Sequence, residues 1–251
     1  MKLSLFQMNV VWEDKDANLK KIKILEPQIA GERPDILILP EMFATGFSMN
    51  VKLVAEDLDG ITVSFLRDFA KRNNIWIVAG LVLKAKKDKG KNVAMVIDRK
   101  GGVAGIYTKI KLFSLQDEHI YHEAGISPVV LNIEGLRLSP FVCYDLRFPE
   151  LFRRVARDVE LVVVIASWPS LRQDHWDTLL KARAIENQLF VAGVNRVGEG
   201  GGLSFRGGSA IYDPLGNCLI RSEGREELLT YSIERSLVRE VRSRYPFLQD
   251  Y

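Results

Sequence analysis

Two runs in this chain have no polar face. Ile36-Leu-Ile-Leu39 and Leu161-Val-Val-Val-Ile165 are apolar at every position and rich in β-branched residues. A strand of that kind must be covered on both faces, which is the situation of parallel strands in an α/β layer structure. Further strands are predicted over Leu3–Val10, Ile36–Pro40, Ile75–Leu83, Val93–Asp98, Val103–Tyr107, Leu136–Cys143, Leu161–Ala166, Phe190–Asn195, Ser209–Tyr212 and Leu228–Ile233. Apolar residues at helical spacing predict helices over Ala17–Ile29, Val63–Arg72, Pro149–Arg157, Trp176–Gln188 and Leu237–Arg242. Asp98-Arg-Lys-Gly-Gly102 and Asp213-Pro-Leu-Gly216 read as hairpin connections. Strands and helices mix throughout with no Ser/Gly- or Pro-rich linker, so the expectation is one α/β domain over 1–251.

Composition narrows the function classes. With 47% hydrophobic and 27% charged residues, the chain can bury a core without disulfides or metal. No apolar stretch approaches the length of a membrane span, and Met1 leads straight into a strand-like alternation instead of a secretory signal. The two cysteines, Cys143 and Cys218, stand in apolar surroundings, which fits a reduced, cytoplasmic protein. The net charge of +3 is local: Lys84-Ala-Lys-Lys-Asp-Lys-Gly-Lys-Asn92 alone carries +4. That segment is expected at a hairpin tip as a solvated loop. Without a wider basic stripe, nucleic-acid binding is not expected.

Chemistry concentrates where strands end. The predicted strand before Cys143 gives way to Tyr-Asp-Leu-Arg-Phe-Pro149, and Pro149 suits the first turn of a helix. A nucleophile on such a strand-to-helix turn is held outward beside backbone N–H groups. Cys218, after a Pro-Leu-Gly turn, is expected in the core. A thiol needs a base or a cation, and the three histidines occupy no conspicuous strand end. Glu41 closes the buried run Ile36-Leu-Ile-Leu-Pro-Glu, and Lys109 interrupts Tyr107-Thr-Lys-Ile-Lys-Leu-Phe113. Acid, ammonium and thiol at strand ends suit a ligand site in an α/β sheet.

These segments, with Asp117-Glu-His119 and Ala182-Arg-Ala-Ile-Glu-Asn187, follow the order of motifs in a known family. The chain resembles the nitrilase (carbon-nitrogen hydrolase) superfamily from about Lys2 to Tyr245, and is most similar to its omega-amidase branch. The resemblance implies a four-layer αββα sandwich. It also implies Cys143 as nucleophile, Glu41 as general base, Lys109 as cation and Glu118 as a second glutamate that positions lysine and substrate. The family commonly has His two residues after the lysine, where this chain has Lys111; Lys109 keeps the register after Tyr107. The backbone N–H of Tyr144 is the expected oxyanion donor. Arg147 is the expected partner of a substrate carboxylate, and Trp168 a pocket wall.

The implied reaction is hydrolysis of the terminal amide of 2-oxo dicarboxylate monoamides through a Cys thioester, with no metal and no organic cofactor. Nitrile or N-carbamoyl hydrolysis on the same residues is the enzymic alternative, and a binding protein that would have lost one of them is the non-enzymic one. The expected partners are a small-molecule amide and, by resemblance alone, a second copy in a homodimer. His119-Ile-Tyr-His122-Glu123 lacks the spacing of a zinc helix. Gly198-Glu-Gly-Gly-Gly202 with Gly207-Gly208 reads as a flexible loop edging the pocket.

Overall fold

The computed structural model describes residues 1–250 and places the sequence runs in two stacked sheets. The strands are β1 (Lys2–Gln7), β2 (Ile36–Ile38), β3 (Trp76–Lys84), β4 (Gly90–Ile97), β5 (Val103–Thr108), β6 (Leu131–Ile133), β7 (Leu136–Val142), β8 (Leu161–Ala166), β9 (Phe190–Asn195), β10 (Val197–Gly200), β11 (Leu203–Tyr212), β12 (Cys218–Glu223) and β13 (Glu227–Ser232). The first sheet runs β13-β1-β2-β3-β4-β5 and the second β10-β11-β9-β8-β7-β6, with β12 also on β11. Each has a parallel centre, β1-β2-β3 in one and β7-β8-β9 in the other, flanked by antiparallel strands.

Alternation along the strands shows why both faces are apolar. In β1, Leu3 and Leu5 join the core between the sheets, whereas Phe6 joins the core under the helices. In β2, Ile36 and Ile38 face inward to the second sheet and Leu37 faces outward. The helices are α1 (Lys15–Ile24), α2 (Glu26–Glu32), α3 (Val51–Val54), α4 (Ile61–Asn73), α5 (Glu118–Tyr121), α6 (Pro149–Arg153), α7 (Gln173–Asn187) and α8 (Ser236–Arg244). Leu19 and Ile22 of α1, Ile29 of α2, and Val63, Leu66 and Phe69 of α4 cover the first sheet. Leu151 and Phe152 of α6 and Trp176, Leu180 and Ala184 of α7 cover the second. The result is helix, sheet, sheet, helix: the expected αββα sandwich.

Several local expectations are corrected. The single helix over Ala17–Ile29 is two, α1 and α2, joined at Leu25 with Pro27 in the first turn of the second. Proline lacks the N–H that a continuous helix would need there. The helix at Pro149 ends at Arg153, shorter than predicted. The short strands β6 and β10 escaped the sequence reading. Cys218 is exposed, not core, because it begins β12, whose first residue faces outward. The glycine-rich segment is no loose loop but the β10–β11 hairpin, and it does not line the cleft described below. Within β11, Gly207 has φ +77, and a Cβ there would meet Gln7 Oε1 at 2.1 Å. The lysine-rich segment does form the β3–β4 hairpin tip; Lys84 pairs with Asp57 at 2.6 Å.

Candidate active site

Glu41, Asn92, Lys109 and Glu118 come from the first sheet's side of the sandwich, and all four are fully buried. Glu41 follows β2, Asn92 lies in β4, Lys109 follows β5, and Glu118 opens α5. The Lys109 ammonium spends its donors on the two carboxylates: 3.0 Å to Glu41 Oε1, and 3.0 and 2.8 Å to Glu118 Oε1 and Oε2. Two buried carboxylates around one ammonium leave an excess negative charge, which burial makes costly unless further donors are supplied. Asn92 Nδ2 donates to Glu41 Oε1 at 2.7 Å and to Glu118 Oε1 at 2.9 Å. The Ser167 backbone N–H donates to Glu41 Oε2 at 2.8 Å, and that of Phe113 to Glu118 Oε2 at 2.6 Å.

Charge coupling fixes the protonation states. Burial disfavours the Lys109 ammonium, but the charges of Glu118 and Glu41 outweigh it and raise its pKa. Burial likewise pushes Glu118 up, yet Lys109 and the Asn92 hydrogen bond bring it below the usual carboxylate range. Lys111, two residues on, is half-exposed, 3.4 Å from Glu150 and stacked over Phe148. Lys109 is therefore the lysine that points inward.

Cys143, Ser167 and Asn195 come from the second sheet, at the ends of β7, β8 and β9. Cys143 takes φ +47 and opens a tight turn over Cys143–Arg147, so its side chain leaves the strand direction in a conformation few non-glycine residues adopt. The turn is held from beneath by buried Asp145. Its Oδ2 accepts from the Tyr107 hydroxyl at 2.8 Å and the Val142 N–H at 3.1 Å, and its Oδ1 from the Lys111 N–H at 2.8 Å. Burial pushes the Asp145 carboxyl up to about 6, against the pull of those donors. Burial, then the adjoining Glu41 carboxylate, pushes the Cys143 thiol well up, with Lys109 acting in the opposite direction. That direction favours the protonated thiol, beside the Glu41 carboxylate.

Cys143, Lys109 and Tyr144 line one narrow cleft. Phe47, Phe113, Gln116, Ser167, Trp168, Pro169, Arg147 and Arg172 complete it. Glu41 and Glu118 sit behind Lys109. Arg147 pairs with neither Glu150 nor Asp145; its guanidinium stacks 4.7 Å over Trp168 and donates to His175 Nδ1 at 3.1 Å. Trp168 is nearly fully buried, with its backbone clamped by Asn195 at 2.7 and 3.0 Å. All the sequence-predicted residues thus meet at one place. The sequence reading missed Asn92, Asp145, Gln116 and Arg172. Asn92 had a signal: it is the polar residue that opens the apolar run Val93-Ala-Met-Val-Ile97 of a strand.

The chain is similar to known proteins over nearly its whole length. The chain is 35% identical over 252 residues to the omega-amidase YafV of Escherichia coli (strain K12), covering all of this chain and 96% of that protein. It is 34% identical over 250 residues to the 2-oxoglutaramate amidase of Bacillus subtilis (strain 168), covering 99% and 96%. Among solved structures, XC1258 from Xanthomonas campestris, a CN-hydrolase superfamily protein with an arsenic adduct in its active site, matches with TM-score 0.94 at 37% identity, over 100% and 97% of the two chains. An amidase from Nesterenkonia sp. AN1, carrying acrylamide by Michael addition at its active-site cysteine, matches with TM-score 0.87 at 29% identity, over 97% of each. The carbon-nitrogen hydrolase family model matches residues 2–243, and the chain belongs to that family.

Proposed function

We propose that this protein is an omega-amidase, which hydrolyses the terminal amide of 2-oxo dicarboxylate monoamides such as 2-oxoglutaramate and 2-oxosuccinamate to the 2-oxo acid and ammonia. The observation that carries this reading is the meeting, at one small cleft, of the Cys143 turn, the buried Glu41–Lys109–Glu118 cluster and a cationic rim. The E. coli and B. subtilis relatives, matched over nearly their full length, support it.

In this reading Glu41 takes the thiol proton as Cys143 Sγ attacks the amide carbon. The charge that develops on the amide oxygen is met by the Lys109 ammonium and the Tyr144 backbone N–H. Glu41 returns the proton to the amide nitrogen, the C–N bond breaks, and ammonia leaves a thioester on Cys143. Water, deprotonated by Glu41, then attacks the thioester and releases the acid, restoring the thiol. Glu118 and Asn92 hold Lys109 and Glu41 in place. Trp168 forms the wall along which the substrate chain lies, and Arg147 pairs with its carboxylate.

The test is ammonia release from 2-oxoglutaramate, 2-oxosuccinamate, simple nitriles and N-carbamoyl amino acids, with wild type and Cys143→Ala. The 2-oxo acid amides should be preferred, and the alanine variant inactive. Turnover surviving Cys143→Ala would remove the thioester mechanism. A preference for nitriles or carbamoyl compounds would remove the omega-amidase assignment.

A further inference from the structure

The cleft carries a second guanidinium, on Arg172. It lies 5.5 Å from the centre of the Phe113 ring, and the Arg172 carbonyl accepts from Trp168 Nε1 at 2.7 Å. The same indole supports the Arg147 guanidinium on its face. One buried tryptophan therefore sets both arginines on the rim. Neither pairs with a carboxylate among the described residues; their contacts are aromatic rings, a backbone group and His175. The two cations feel one another: burial, and next the charge of Arg172, hold Arg147 below the usual arginine range.

Like charges facing one small cleft repel unless an anion joins them. The acids behind the cleft, Glu41 and Glu118, are already engaged by Lys109. A carboxylate has two oxygens with about four acceptor directions, enough for two guanidinium groups at once.

We propose that Arg172 is the second arm of a carboxylate clamp, in which Arg147 and Arg172 together grip the 2-oxo acid end of the substrate. This rests on the omega-amidase reading for its ligand, and on the rim geometry for its residues. The clamp sets specificity: it favours short amides with an anionic far end over neutral ones of the same length, without taking part in proton transfer.

The experiment compares wild type with Arg172→Met, Arg172→Lys, Arg147→Met and the double Met variant. Steady-state kinetics are measured with 2-oxoglutaramate. In parallel, 2-oxobutyrate and neutral acetamide are each tested for protecting Cys143 against iodoacetamide, a readout that needs no turnover. Arg172→Met should raise KM for 2-oxoglutaramate about tenfold or more, with kcat changed little. It should weaken protection by 2-oxobutyrate while leaving protection by acetamide intact, which also reports a folded cleft. Arg172→Lys should recover part of the loss, since charge remains without the fork. The double variant should lose less than the product of the single losses, because both arms hold one ligand.

Unchanged KM and unchanged 2-oxobutyrate protection in Arg172→Met would overturn the clamp, as would strictly multiplicative losses in the double variant. Equal loss of acetamide and 2-oxobutyrate protection in both Arg172 variants would make the residue structural. If wild type fails to hydrolyse 2-oxoglutaramate while 2-oxobutyrate still protects through Arg172, the omega-amidase reading falls and the clamp stands.

Discussion

The Tyr107 hydroxyl donates to Asp145 across the space between the two sheets, at 2.8 Å. Tyr107 lies two residues before Lys109, and Asp145 two residues after Cys143, so this one bond ties the strand that leads to Lys109 to the Cys143 turn. Burial and the neighbouring Asp145 charge keep the phenol protonated by raising its pKa.

Tyr107→Phe should cost about 1.5–3 kcal/mol, the usual worth of a hydrogen bond to a charged group. Asp145 would keep only its two backbone donors. Urea denaturation gives the stability change and steady-state assays the kcat, which should fall as the Cys143 turn loosens. A variant as stable and as active as wild type would show that the tie does not matter.

Asn92 is predicted to matter as much as its charged neighbours. Asn92→Ala removes donors from both Glu41 and Glu118, and should lower kcat by roughly 10–100-fold with little change in KM. Asn92→Asp should be worse in both activity and stability, because it adds a third carboxylate to a cluster with one ammonium. Measuring kcat, KM and Tm for the pair distinguishes a positioning role from packing alone, which would make the isosteric Asp the milder change.

The two lysines should behave very differently. Lys109→Met leaves two buried carboxylates unpaired and should destabilise by about 3–5 kcal/mol, with kcat falling roughly 100–1000-fold as a cation is lost from the reaction centre. Lys111→Met removes a partly exposed pair with Glu150 and should cost about 0–1 kcal/mol. Thermal melts and ammonia release on both variants check the contrast.

The pH dependence of alkylation follows from the raised thiol pKa. A thiol raised above its ordinary 9.0 is protonated at neutral pH, so thiolate becomes abundant only in alkaline solution. Iodoacetamide inactivation should therefore accelerate up to and beyond pH 9, with no plateau near neutrality. A plateau beginning between about pH 5 and 7 would instead indicate a standing thiolate–cation pair. Lys109→Met should slow the reaction further, since Lys109 is the group that favours thiolate.

What could be read from the sequence divides along a physical line. An α/β layer structure could be read from runs apolar on both faces, whereas the four-layer αββα arrangement came from the family resemblance; Glu41, Lys109 and Cys143 stood out as acid, ammonium and thiol at the ends of such runs. Glu118 and Arg147 came from the family resemblance, since their surroundings are polar and a charge there is unremarkable. Arg172 and Asp145 stayed hidden because nothing local marks them: their partners lie in other elements and meet only when the sheets stack. Cys218 misled because an apolar stretch looks the same at a sheet's margin and in its middle. The break between α1 and α2 was legible in Pro27, but the apolar spacing carried across it.

Cys143 and Glu41 hang from different sheets, Cys143 on the second and Glu41 on the first. Their separation is thus the local thickness of the hydrophobic interior, set by the side chains packed between the sheets. Reacting groups misplaced by about 1 Å can lose some 100-fold in rate. The interior of this protein therefore works as a gauge block as well as an adhesive: a methyl group added or removed far from solvent would retune the chemistry while leaving every reactive atom in place.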